Sequence, residues 1–103
     1  MDTYRASYHG KVIAQSGEVV LLEGNVYFPP SAVQHEYLHR TRRKSLCYWK
    51  GLASYYTVQV DRLTGRNAAW TYRHPSPLAR RIKDYVAFWR GVQVERVNPA
   101  HDE

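Results

Sequence analysis

A chain of 103 residues with 44% hydrophobic and 23% charged residues has room for one globular domain with a single core, and its composition excludes a disordered or fibrous chain. One cysteine excludes an internal disulfide and a cysteine-rich zinc cage, and it fits a reducing, cytoplasmic setting. The net charge of +6 rests on eleven arginines and four lysines, a balance suited to phosphates, carboxylates or nucleic acid, or simply to solubility.

Residues 1–9 are polar and read as a loosely ordered N-terminus without the apolar core of a signal peptide. Residues 10–98 read as a single mostly-β domain, and 99–103 as a frayed end. Gly10 opens a first short strand, residues 11–14, and 15–18 form a turn by composition. The apolar run 19–22 reads as a strand buried on both faces and, like every apolar run in the chain, is far too short to cross a bilayer, so no membrane partner is expected. After a tight turn at 23–25, residues 26–28 form a strand that should pair antiparallel with it.

Pro29-Pro30 ends that strand, and Ser31 with Gln34 spells a capping box for a short helix. Residues 40–44 carry four positive charges and suit an exposed loop or edge strand. A hairpin then turns at Trp49-Lys50-Gly51, returns along 53–60, and is followed by a turn at 61–65. The strand 67–72 places Ala68, Trp70 and Tyr72 on one face by the period of two. Ser76 and Pro77 can start a helix running to about residue 85. Residues 86–89 and 92–97 read as a terminal strand pair around Gly91. The expected fold is therefore mainly β: a compact antiparallel sandwich or small barrel of about seven to eight short strands with one or two short helices.

The pieces Val12-Ile13-Ala14-x-Ser16-Gly17, Val26-Tyr27-Phe28-Pro29, Cys47-x-Trp49-Lys50-Gly51-x-Ala53-x-Tyr55-Tyr56, Asn67-x-Ala69-Trp70-x-Tyr72 and Tyr85-Val86-Ala87-Phe88 run in order from about residue 11 to 97. Together they resemble the bacterial "domain of unknown function 427" family. The resemblance implies a mostly-β single domain whose activity is not established. A nucleotidyltransferase-like label is sometimes attached to the family. Here there is no Gly-rich phosphate loop and no Asp-x-Asp pair to hold the magnesium such chemistry uses. Similar proteins usually carry less positive charge before the cysteine than residues 40–44 do.

Four constellations carry possible chemistry. His35-Glu36-Tyr37-Leu38-His39 spells His-Glu-x-x-His, which on a long helix binds zinc with Glu36 as base. No third ligand follows at the usual spacing, although His74, Glu95 or His101 could serve. Cys47 becomes a nucleophile if Lys50 or the cluster Arg42, Arg43, Lys44 stabilises its thiolate; otherwise it is inert wall. Lys50 either holds a negative group or is a solvated turn lysine, and Gly51 beside it lets backbone approach a ligand closely.

Trp49, Tyr55, Tyr56, Trp70 and Tyr72 either line a ligand cleft with Lys50 or pack as core, with Tyr55 and Tyr56 on opposite faces. Arg40, Arg42, Arg43 and Lys44, with Arg80, Arg81 and Lys83, suit anion or single-stranded nucleic-acid contact. The leading expectation is a cleft for an anionic or aromatic small molecule around Cys47–Tyr56, with no metal or cofactor. A nucleic-acid module and a zinc hydrolase are the alternatives.

Overall fold

The computed structural model describes residues 2–97, and these form nine strands in three antiparallel sheets. The first sheet has the order β2 (Lys11–Ser16), β1 (Thr3–Tyr8), β9 (Gln93–Val97). The second is the hairpin β3 (Val20–Leu22) with β4 (Asn25–Tyr27). The third runs β5 (Leu38–Cys47), β6 (Gly51–Val60), β7 (Leu63–Tyr72), β8 (Val86–Phe88). The mainly-β antiparallel expectation holds, and no helix among the described residues is long and apolar enough to cross a membrane.

The N-terminal segment is not loose. Tyr4, Ala6 and Tyr8 alternate with polar residues, and Ala6 and Tyr8 are buried in the core while Tyr4 packs against it. Thr3 to Ser7 pair with β9, so the last strand joins β1 and not β8 as expected. The run 19–22 is likewise not buried on both faces, since Leu21 is 56% exposed.

The expected helices are reduced to 3-10 turns at Pro30–Ala32, His35–Tyr37 and Pro77–Ile82. Neither Ser31 nor Gln34 makes a capping hydrogen bond, and the first turn is preceded by Pro29. The third turn does begin after Ser76 with Pro77 in first position, but it breaks at Ala79 and ends before residue 85. The segment 98–103, including His101, lies outside the described residues.

The four-stranded sheet is loaded on both faces. One face packs Val58, Ala69, Val86 and Phe88 into a core with Ile13 and Phe28. The other packs Ala53, Tyr55, Trp70, Tyr72 and Ala87 with Tyr27 and Ile82. Ala68 belongs to the first core, apart from Trp70 and Tyr72, because the strand is irregular here: Asn67 has φ 52° and the β6–β7 register shifts between Tyr56 and Val58. Phe28 ties the small hairpin to the large sheet by exchanging backbone hydrogen bonds of 2.8 and 2.9 Å with Val86.

Gly51 begins β6 with φ 117°, a region open essentially to glycine. Its Cα faces backbone of residues 74–76, where an added Cβ would sit 3.3 Å from the His74 carbonyl oxygen and 3.4 Å from Pro75 Cα. The close approach read from the sequence is thus to the chain's own backbone, not to a ligand. Gly51→Ala is expected to cost about 1–3 kcal/mol, measured by urea unfolding with an unchanged m-value.

Candidate functional site

The β5–β6 turn at residues 48–50 is gripped from two sides. Ser76 donates its backbone N–H to the Lys50 carbonyl at 2.8 Å, and its hydroxyl donates to the Trp49 carbonyl. From the other side comes the β3–β4 hairpin, whose two central residues Glu23 and Gly24 have φ 53° and 78°. Positive φ at both positions is what a two-residue type I′ turn needs. It delivers the Glu23 carboxylate to two donors at once. Oε1 accepts from Lys50 Nζ, and Oε2 accepts from Trp49 Nε1 at 3.2 Å.

That grip sets the charges. Lys50 and then Trp49 hold the Glu23 carboxyl below its ordinary value by donating to the ionised form. Burial pulls the Lys50 ammonium downward, but the Glu23 hydrogen bond and the nearby Tyr27 and Tyr72 phenols outweigh it, so its pKa is raised overall. With its side chain only 8% exposed, Lys50 is a buried cation with one counter-charge. Its Nζ also lies 5.4 Å from the Trp49 ring and 5.6 Å from the Tyr72 ring, within cation–π range.

Beside this ammonium opens a cavity of about 250 Å³ lined by Asn25, Tyr27, Lys50, Tyr55, Trp70, Tyr72 and Trp89. Trp70 stands edge-on to Tyr27 and to Trp89, with ring centroids 6.2 and 5.5 Å away. Its Nε1–H donates to the Tyr27 hydroxyl at 3.3 Å, while the Trp89 Nε1–H is spent on the Asn67 carbonyl at 2.7 Å. Burial pushes Tyr72 up to about 12 against the opposing pull of Lys50, and burial likewise raises Tyr27. Both phenols therefore remain neutral donors across the working pH range. At the rim, Arg43 lies 5.0 Å over the Tyr55 ring and Arg90 4.2 Å over Trp89. Neither has a carboxylate within salt-bridge distance among the described residues.

Of the residues singled out in the sequence, Lys50, Tyr55, Trp70 and Tyr72 line this one cavity. Trp49 stands behind Lys50 and is tied to Glu23. Cys47 is half-buried and packs against the same core cluster. Tyr56 faces the other way, as alternation requires, and lines a separate cavity with Arg40. Glu23, Asn25, Tyr27 and Trp89 were not singled out. Glu23-Gly24 is visible as a turn, but nothing local tells which cation its carboxylate reaches.

Arg40, Arg42, Arg43 and Lys44 all lie on β5, an edge strand with a register shift between Arg40 and Lys44. His35-Glu36-x-x-His39 is not on a helix: a 3-10 turn ends at Tyr37 and His39 already belongs to β5. The i, i+4 face that binds zinc is therefore not formed. His35 Nε2 is instead 2.9 Å from the Pro30 carbonyl oxygen. No cluster of three His, Cys, Asp or Glu side chains suited to a metal ion occurs among the described residues, so neither His74 nor Glu95 completes a site.

The model of a family described as a domain of unknown function (DUF427) matches residues 2–99. The chain belongs to this family. The match takes in every strand and the whole aromatic cavity, and it carries no assigned reaction. A comparison with curated proteins found no match to this chain.

Two pH effects arise from these charges. The Glu23 carboxyl is more acidic folded than unfolded, so its contribution is present above about its ordinary value of 4.5 and is lost as pH falls through the folded value. Acid unfolding of Glu23→Gln should accordingly show a shallower loss of stability below that pH. Tyr72 behaves oppositely, because its folded pKa is raised from 10.0 to about 12. Its contribution is complete below pH 10 and falls between pH 10 and about 12, where the unfolded phenol ionises first. Stability curves of Tyr72→Phe should lose part of that alkaline slope.

Proposed function

We propose that this domain binds a small planar molecule in the aromatic cavity beside Lys50, with its ring among Tyr55, Trp70 and Trp89. The observation that carries the reading is the buried Lys50 ammonium, fixed by Glu23 at the wall of an otherwise aromatic cavity. A cavity with apolar walls and few fixed polar groups is the usual form of a small-ligand site. Lys50 already has its counter-ion, so stacking supplies most of the affinity. An acidic group on the ligand would face the rim, where Arg43 and Arg90 are stacked and lack carboxylate partners among the described residues.

Lys50 acts in this reading as a fixed charge and not as a base, since a catalytic lysine needs a lowered pKa and this one is raised. Cys47, half-buried, packs against the same cluster without lining the cavity and has no chemical role in this reading. A thiolate nucleophile at Cys47 would instead show fast, saturable alkylation by iodoacetamide that slows on Lys50→Met. A cytoplasmic location is part of the same proposal, and the single free cysteine, which suits a reducing compartment, supports it.

Native mass spectrometry of the untagged protein from its own cells reads out a retained molecule directly. The expected result is an aromatic compound whose affinity, by calorimetry, falls at least about tenfold in Trp70→Ala and Trp89→Ala. Trp89 is 37% exposed, so its variant keeps the fold even if Trp70→Ala does not. Undiminished binding in a folded Trp89→Ala variant would sink the proposal. A nucleic-acid module would show itself differently, through affinity for single strands that drops steeply with salt and depends on Arg42, Arg43 and Lys44.

A further inference from the structure

The opposite face of the same sheet carries a second cavity, of about 290 Å³, lined by Pro30, His35, Arg40, Tyr56, Thr71, Arg73 and Asp84. Its position follows from strand alternation. Tyr55 and Trp70 face the aromatic cavity, so their neighbours Tyr56 and Thr71 face away from it. Arg40 stands directly opposite Tyr56 in the β5–β6 register, and Arg73 continues the line of β7 just past Tyr72. Two arginines from different parts of the chain thus line one cavity with Tyr56. Asp84 lines the same cavity from a backbone held at φ 64°, with its N–H donating to the Tyr72 carbonyl at 3.0 Å.

The charges here are not neutralised as they are at Lys50. Neither Arg40 nor Arg73 has a carboxylate within salt-bridge distance among the described residues, although Asp84 lines the same space. The Thr71 hydroxyl is already committed, donating to the Tyr85 carbonyl at 2.7 Å. The His35 Nε2–H is committed to the Pro30 carbonyl at 2.9 Å, which leaves Nδ1 as its open ring position. The open donors are therefore the two guanidinium forks. Each fork matches two oxygens of an oxyanion, and together they offer two positive charges.

We infer that this second cavity is a site for a phosphate monoester, with the phosphate between Arg40 and Arg73 and the organic group against the Tyr56 ring. A carboxylate has two oxygens and one charge, and cannot use both forks fully. A phosphate monoester has three terminal oxygens and carries close to two charges at neutral pH. Asp84 opposes any further negative group on its side, so the ligand presents one anionic end only. The site is independent of the aromatic cavity, since no residue lines both.

Calorimetric titration with phenyl phosphate, and with benzoate as the carboxylate counterpart, tests this on the intact protein. The expected result is saturable binding of phenyl phosphate, tighter than benzoate, and weakened at least about tenfold by Arg40→Gln or Arg73→Gln. Asp84→Asn should tighten it. Arg62→Gln, an exposed arginine in the β6–β7 turn, should leave it unchanged. The inference is overturned by no saturation with phenyl phosphate, by benzoate bound as tightly or more so, by an equal loss in Arg62→Gln, or by loss of binding in Trp89→Ala. Trp89→Ala serves as the second control, because loss there would assign the binding to the aromatic cavity.

Discussion

The pairing of Lys50 with Glu23 is the constraint on which the site depends. A buried ammonium is costly unless a counter-charge and hydrogen bonds replace its water. Local sequence offers none to Lys50, whose neighbours are Trp49 and Gly51. The partner comes 27 positions away, from a hairpin of only three-residue strands. To reach it, Glu23 takes a left-handed backbone that costs a non-glycine residue about 1–2 kcal/mol. The ion pair thereby fixes where the small hairpin sits, and the hairpin brings Asn25 and Tyr27 to the cavity wall.

Ser76 completes the same constraint from the other side. Its two hydrogen bonds to the carbonyls of Trp49 and Lys50 hold the turn down over the 3-10 segment, and Gly51 permits the contact because it has no Cβ. Two distant segments meet on a three-residue turn. This is why the chain's most distinctive stretch is also its most tightly bound: the turn is a junction before it is a site.

Strand positions are legible in the sequence where turn residues and alternation agree, as at β6, whereas β7 begins at Leu63 inside the stretch 61–65 that reads as a turn by composition. The signal for β1 was present too, in the period-two spacing of Tyr4, Ala6 and Tyr8, but the polar residues between them masked it. Helices were overread because Ser31, Gln34 and Ser76 are cap residues by type. The segment after each cap is too short or too irregular to propagate past a single 3-10 turn, and nucleating a longer helix is unfavourable. Within the site, Trp70 and Tyr72 group by alternation along one strand, whereas which of Tyr55 and Tyr56 joins them depends on the β6–β7 register that pairs Tyr55 with Trp70. Trp89 and Glu23 do not group this way, since their places depend on how β8 and the small hairpin dock, which no local pattern encodes.

The basic run on β5 has a structural reason before any functional one. An edge strand ten residues long exposes unpaired backbone groups, and positive side chains with a bulge between Arg40 and Lys44 discourage another strand from adding to it. Yet the run is not uniform in its surroundings. Arg43 lies over Tyr55 on one face of the sheet, whereas Arg40 borders Tyr56 on the other. Edge protection accounts for positive charge along the strand, but it is indifferent to which face each charge takes. The distribution of carboxylates separates the two faces further: Glu23 neutralises the cation in the aromatic cavity, while Asp84 lines the second cavity without pairing to either arginine. A sheet so arranged offers stacking surface on one side, chiefly from β6 and β7, and on the other side positive charge without an ion-pair partner among the described residues, from Arg40 of β5 and Arg73 just past β7.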